Sequence, residues 1–150
     1  MPSREILLCE SIIAAIDGGT YTETVAAAQV QIDEIIDLAE LPNVDAVDGL
    51  AVHVAPGRLI IEAAAARSGP AAHDYTSLVI VRAKCDPIDQ LQVRRLLLAA
   101  EEIAAEIPKA ATAEAWPLLQ ILREPIFIGE HLRELNQFTA PIEARYRAFK

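Results

Sequence analysis

The sequence predicts an α+β fold: an antiparallel β-sheet of about four to five strands with two main helices packed on one face. Three observations carry this. Helical periodicity is clear near the N-terminus and again after residue 86. Segments between and beyond those stretches alternate with period two, and the last is apolar on one side and polar on the other, as in an antiparallel sheet with one wet face. A chain of 150 residues, 53% hydrophobic, is the length of one domain and can build a core, which excludes whole-chain disorder.

Residues 3–17 read as the first helix. Ser3 can cap it, and Ile6, Cys9, Ile13 and Ile16 recur at three- and four-residue spacing. Gly18 and Gly19 stop it, since glycine accepts the left-handed conformation that commonly follows a helix. Residues 22–41 fit two states. Thr24, Ala26, Ala28, Val30 and Ile32 alternate as a strand does, whereas the Ala, Gln and Glu content suits a helix; the reading taken is a strand through about Ile36. Pro42–Asn43 and Asp48–Gly49 punctuate a loop. Leu50–Ala55 is a short strand ended by Pro56–Gly57, and residues 57–71, with the alanine run Ala63–Ala66, read as a long loop joining a hairpin.

Tyr75–Lys84 is apolar at its centre on both faces, so it is expected in the middle of the sheet. Asp86 as cap and Pro87 at the first helical position open the longest helix. Its buried stripe is Val93, Leu96, Leu97, Ala100, Ile103, Ala104 and Ile107, its wet side Arg94, Arg95, Glu101, Glu102 and Glu106, and Pro108 closes it. Trp116–Leu122 is extended, with Pro117 assigning it to an edge or a strand start. Gly129–Leu135 forms a short helical turn. In the final strand Phe138, Ala140, Ile142, Ala144, Tyr146 and Ala148 share one face, and Thr139, Glu143, Arg145 and Arg147 the other.

Lys plus Arg number 13 against 22 Asp plus Glu, a formal charge of −9 that argues against gripping a nucleic-acid backbone. No apolar run approaches the roughly 20 residues that cross a bilayer, and Met1–Glu5 does not open a signal peptide, so the expectation is a soluble, intracellular, reduced chain. Cys9 and Cys85 make neither a metal spacing nor a disulfide framework. His53, His73 and His131 are far apart, and the adjacent His73 and Asp74 point to opposite faces of a strand, so they read as solvated or capping side chains. Cys85 precedes a helix N-terminus, a place that lowers a thiol pKa, but no histidine is placed to serve it; it reads as a small, half-buried residue and Cys9 as core. Glu101, Glu102 and Glu106, and Asp33, Glu34 and Asp37, read as solvated edges. No glycine-rich phosphate loop occurs, and Trp116 and Phe138 read as core or interface. No cofactor or metal is expected, and an enzyme using Cys85 or scattered carboxylates is the weaker class.

Three blocks recur together in order: Leu50–Pro56, a valine-rich strand ending in proline; His73–Lys84, the strand opening on Asp-Tyr; and Glu130–Thr139, the His-Leu to Phe-Thr closing block. With the helix after Asp86–Pro87, they resemble the tail terminator (neck) proteins of long non-contractile-tailed bacteriophages and prophages. The resemblance covers about two thirds of the chain, from Leu50 to the end. It implies a homo-hexameric ring that caps the tail tube, ends its polymerisation and meets the head-completion or stopper protein. It implies a place in the virion tail neck after assembly in the host cytoplasm, and no catalytic residues. A head–tail adaptor or stopper ring is the alternative within virion biology. An acidic ring would let DNA pass its lumen without specific binding. Arg58, Leu59, Ile60, Ile61 and Arg67 of the apolar connection, with Trp116 near a sheet edge, are the candidate contacts with subunit or tube, since apolar surface there is costly until covered.

Overall fold

The computed structural model describes residues 3–25, 28–30, 50–62, 72–112 and 116–149. Along the chain these form α1 (Arg4–Asp17), β1 (Gln29–Val30), β2 (Ala51–Glu62), β3 (Ala72–Lys84), α2 (Gln90–Glu106), a 3-10 turn (Ile107–Lys109), β4 (Leu118–Leu122), α3 (Gly129–Leu135) and β5 (Gln137–Phe149). The strands make one five-stranded sheet in the order β1-β2-β3-β5-β4. All pairs are antiparallel except β1 with β2, which run parallel through Gln29↔His53 and Val30↔Val54. The α+β class therefore holds, and β3 sits at the centre, as its two apolar faces require.

One sheet face makes the core. Val52 and Val54 of β2, Tyr75, Val79, Val81 and Ala83 of β3, and Phe138, Ala140, Ile142, Ala144, Tyr146 and Ala148 of β5 are buried together. Against them pack Leu8, Cys9, Ile12 and Ile16 of α1 and Leu96, Ala99, Ala100, Ile103 and Ala104 of α2. The buried side of α1 is rotated slightly from expectation, because Leu8 and Ile12 complete it while Ile6 and Ile13 are only half-buried.

Three expectations are corrected. Gly18 is right-handed (φ −80, ψ −7), so no left-handed cap ends α1. A Cβ at Gly19 would lie 2.5 Å from the Tyr21 hydroxyl and 2.9 Å from Glu106 Cγ, so glycine there leaves room for Tyr21 to fold back and donate to the Ile16 carbonyl. Pro56–Gly57 does not end β2. The strand continues to Glu62 across a register shift between Pro56 and Leu59, so residues 57–62 are strand where a loop was expected, and 63–71 lie outside the described residues. A bulge absorbs what would otherwise break the ladder. A Cβ at Gly57 would stand 2.4 Å from Thr76 Oγ1 and 3.0 Å from the Thr76 carbonyl oxygen, a close approach that requires glycine.

The third correction concerns α2, which begins at Gln90. Asp89 caps it by accepting from Gln92 N at 3.1 Å, whereas Asp86 accepts from Ile88 N at 3.0 Å and shapes the turn before it. The strand expected through about Ile36 is seen in part. Val25 bridges Leu50 and Gln29–Val30 form a two-residue strand, but residues 26–27 and 31–36 lie outside the described residues. Beyond α2, β4 takes its edge position as Pro117 implied, and α3 ends on Asn136 in the left-handed conformation (φ 50).

Candidate interaction surfaces

The second face of the sheet was expected to be wet, yet its centre is not. Asp74, Thr76, Ile80 and Arg82 of β3, His53 of β2 and Thr139 of β5 are all buried. Antiparallel register explains which charges meet: Asp74 pairs with Arg147 and Thr76 with Arg145 across β3 and β5. Both guanidiniums therefore converge on the fully buried Asp74 carboxylate. Arg147 donates from Nε to Oδ1 at 2.8 Å and from Nη2 to Oδ2 at 3.1 Å, and Arg145 donates from Nε to Oδ2 at 2.8 Å. Arg145 Nη2 also contacts Oδ2. These hydrogen bonds, Arg147's first, hold the Asp74 carboxyl below the usual carboxylate range despite its burial. Asp74 is thus a structural anion, not the solvated strand-start residue expected.

Toward the other end of β3, Arg82 lies within a polar cluster. Its Nη1 is 3.4 Å from His53 Nε2, and its Nη2 donates to Gln137 Oε1 at 3.3 Å. Gln137 Nε2 in turn donates to Thr139 Oγ1 at 2.8 Å, which lies 3.0 Å from His131 Nδ1. Burial first, and then the Arg82 charge, push the His53 pKa down, so His53 is held neutral. These clusters were invisible as clusters in the sequence, because strand register decides which polar residues face one another.

The expected contact residues divide. Arg58, Leu59, Ile60 and Ile61 lie in the far half of β2, with Leu59 opposite Tyr75, Ile60 opposite Asp74 and Ile61 opposite His73. Arg67 lies outside the described residues. Trp116, half-buried, stacks on Tyr75 with ring centroids 4.9 Å apart and an 11° interplanar angle. Arg4 approaches the same indole, its guanidinium carbon 5.8 Å from the centroid, and His73 also stacks on Tyr75, with ring centroids 6.5 Å apart. Tyr75 therefore ties Trp116 to the register position of Leu59, and the sheet end carrying β2's last residues also carries this stack.

Neither thiol is poised for attack. Cys9 is buried with Sγ 3.8 Å from Ser77 Oγ, and Cys85 is buried rather than half-buried as expected. Burial, foremost, and then nearby Asp89 and Asp86 raise the Cys85 pKa, opposite to the effect of an isolated helix N-terminus. Among the described residues no three His, Cys, Asp or Glu side chains are grouped to hold a metal ion, and no helix is long and apolar enough to cross a membrane.

The outer face of α2 carries what the sequence reading passed over. Ile88, just before the helix, is 85% exposed, Leu91 70% and Leu98 47%. Leu91, Arg94, Arg95 and Leu98, with the cap Asp89, line an open groove. The seven-residue interval from Leu91 to Leu98 was the available signal, since it puts both on one helical face with Arg94 and Arg95. On the same wet side Glu102 turns inward and accepts from Thr22 N at 3.0 Å, and Glu106 pairs with Lys109 at 3.1 Å.

No family model matches the chain, and no curated protein matches it. Among solved structures, it is similar to a chain of the virion of a native gene transfer agent particle. That likeness has a TM-score of 0.45 and 12% identity, and covers 97% of this chain and 94% of that one.

Proposed function

We propose that the chain is a non-enzymatic virion assembly protein, a tail terminator whose copies close into a hexameric ring on the end of a tail tube, stop its growth and offer a docking face to the head-completion protein. One observation carries the reading: the three sequence blocks that resemble this family, Leu50–Pro56, His73–Lys84 and Glu130–Thr139, fall largely on three neighbouring strands and the helix leading into the last. β2, β3 and β5 lie side by side, with α3 delivering the chain into β5. The blocks thus behave as one structural unit rather than as scattered coincidences.

The surface chemistry supports the same reading. Polar clusters around Asp74 and Arg82 tie neighbouring strands together, while α2, β4 and α3 leave some large apolar side chains exposed among charged ones, surface that another protein could cover. The tube-contact role is assigned to the far half of β2, Arg58–Ile61, with Arg67 and Trp116. A formal charge of −9 favours passage of DNA without tight binding.

The test is genetic and structural. Particles assembled without this protein are expected to carry overlong or aberrant tails, restored to normal length by the wild-type chain. Heads that leak DNA beside tails of normal length would overturn the terminator reading and favour an adaptor or stopper ring on the portal side.

A further inference from the structure

We infer that the outer face of α2 is a two-fold interface on which a second copy of this chain docks through the same helix, running antiparallel. The inference is independent of the tail reading and rests on a self-complementary stripe. Leu98 marks its centre. Leu91 lies seven residues before it and Ala105 seven after; Arg95 and Arg94 lie three and four before, and Glu101 and Glu102 three and four after. Two antiparallel copies of α2 crossed at Leu98 therefore set Leu98 on Leu98, Leu91 on Ala105, and the Arg94–Arg95 pair of each copy across from the Glu101–Glu102 pair of the other.

The side chains are available for this. Leu91, Arg94, Arg95, Leu98, Glu101 and Ala105 are all exposed. Arg95 reaches Glu23 only at 3.9 Å, with most of its side chain in water, a contact of little worth that a partner carboxylate can replace. Glu102 is partly engaged by Thr22, so Glu101 is the principal acceptor. The groove between Leu91, Arg94, Arg95 and Leu98 receives the small Ala105 end of the partner stripe.

Charge identifies the occupant. On a chain of formal charge −9, Arg94 and Arg95 make a local basic step, and the same helix supplies the acidic step that matches it. At about 0.15 M salt the Debye length is ~8 Å, which screens repulsion between whole molecules more than attraction between touching pairs. A stripe of about 21 Å is a small interface, so pairing depends on concentration.

The experiment is native mass spectrometry with light scattering on the full chain, its R94E/R95E variant, its E101R/E102R variant and an equimolar mixture of the two variants. Each variant presents four like charges where the wild type presents two of each sign. The wild-type assembly is expected to have twice the mass of either variant's, each variant weakening the pairing about tenfold or more, and the mixture is expected to regain the wild-type mass. Recovery in the mixture also shows that both variants are folded, and Leu98→Asp should separate the pair without touching the charges. Equal masses for wild type and variants, or a mixture that stays at the variants' mass, would overturn the assignment.

Discussion

Asp74 answers to two arginines because β3 and β5 register it opposite Arg147 and diagonally from Arg145. Replacing it with Asn leaves two guanidiniums facing a neutral amide. The expected cost is about 3 kcal/mol, the low end for breaking such a pair, because both arginine side chains are more than a quarter exposed. Since the folded carboxyl titrates below its unfolded value, its contribution is present above about pH 4 and is lost as pH falls through the folded pKa. Urea midpoints taken from pH 5 to pH 2 should show a shallower acid limb in D74N than in the wild type. His53 acts at a higher pH. Its folded pKa is depressed, so the unfolded chain takes up a proton first and stability falls as pH drops below about 6.5. His53→Gln should flatten that part of the profile between pH 7.5 and 5, and an unchanged slope would contradict the buried neutral imidazole. Gly57 makes a third prediction. A Cβ there meets Thr76 Oγ1 at 2.4 Å, so Gly57→Ala should cost about 1–3 kcal/mol in denaturant unfolding, as overpacking does.

At the scale of elements, the start of α2 separates two aspartates that look alike in sequence. Asp89 accepts from Gln92 N and caps the helix, whereas Asp86 accepts from Ile88 N in the preceding turn. Asp89→Ala should therefore cost about 1 kcal/mol, the usual value of a cap, and Asp86→Ala less, as read by thermal unfolding. The Asp86–Pro87 pair matched the sequence signature of a helix start, and the chain uses it as a turn one step earlier. Period-two alternation made β3 and β5 legible, and period 3.6 made both long helices legible, because burial imposes those periods. The far half of β2 was not legible. Pro56–Gly57 is the usual end of a strand, and only the partner strand shows that a bulge carries the ladder on to Glu62. Likewise Arg145 and Arg147 were readable as one face, but their carboxylate partner sits 71 and 73 residues away, a distance only register can close.

For the whole molecule, the structure divides its labour. An apolar core holds one sheet, with α1 and α2 on its core face, while the chain leaves apolar side chains on its outer surfaces, at Ile88, Leu91, Leu98, Leu119, Leu122, Ile126 and Leu135. Scattered singly, such side chains are ordinary on a protein surface, and it is the pair Leu91 and Leu98 that shares one groove. The candidate contacts were legible as an apolar stretch and a tryptophan; the stacking of Trp116 on Tyr75, which links them, depends on the fold. The central claim is that this chain works by assembling. Native mass spectrometry of the purified chain with tail tube present, paired with negative-stain images of the same sample, tests it most directly. The account predicts a ring with a central hole built of hexamers, single or paired face to face. A particle no larger than a dimer, with no ring at the tube end, would contradict it.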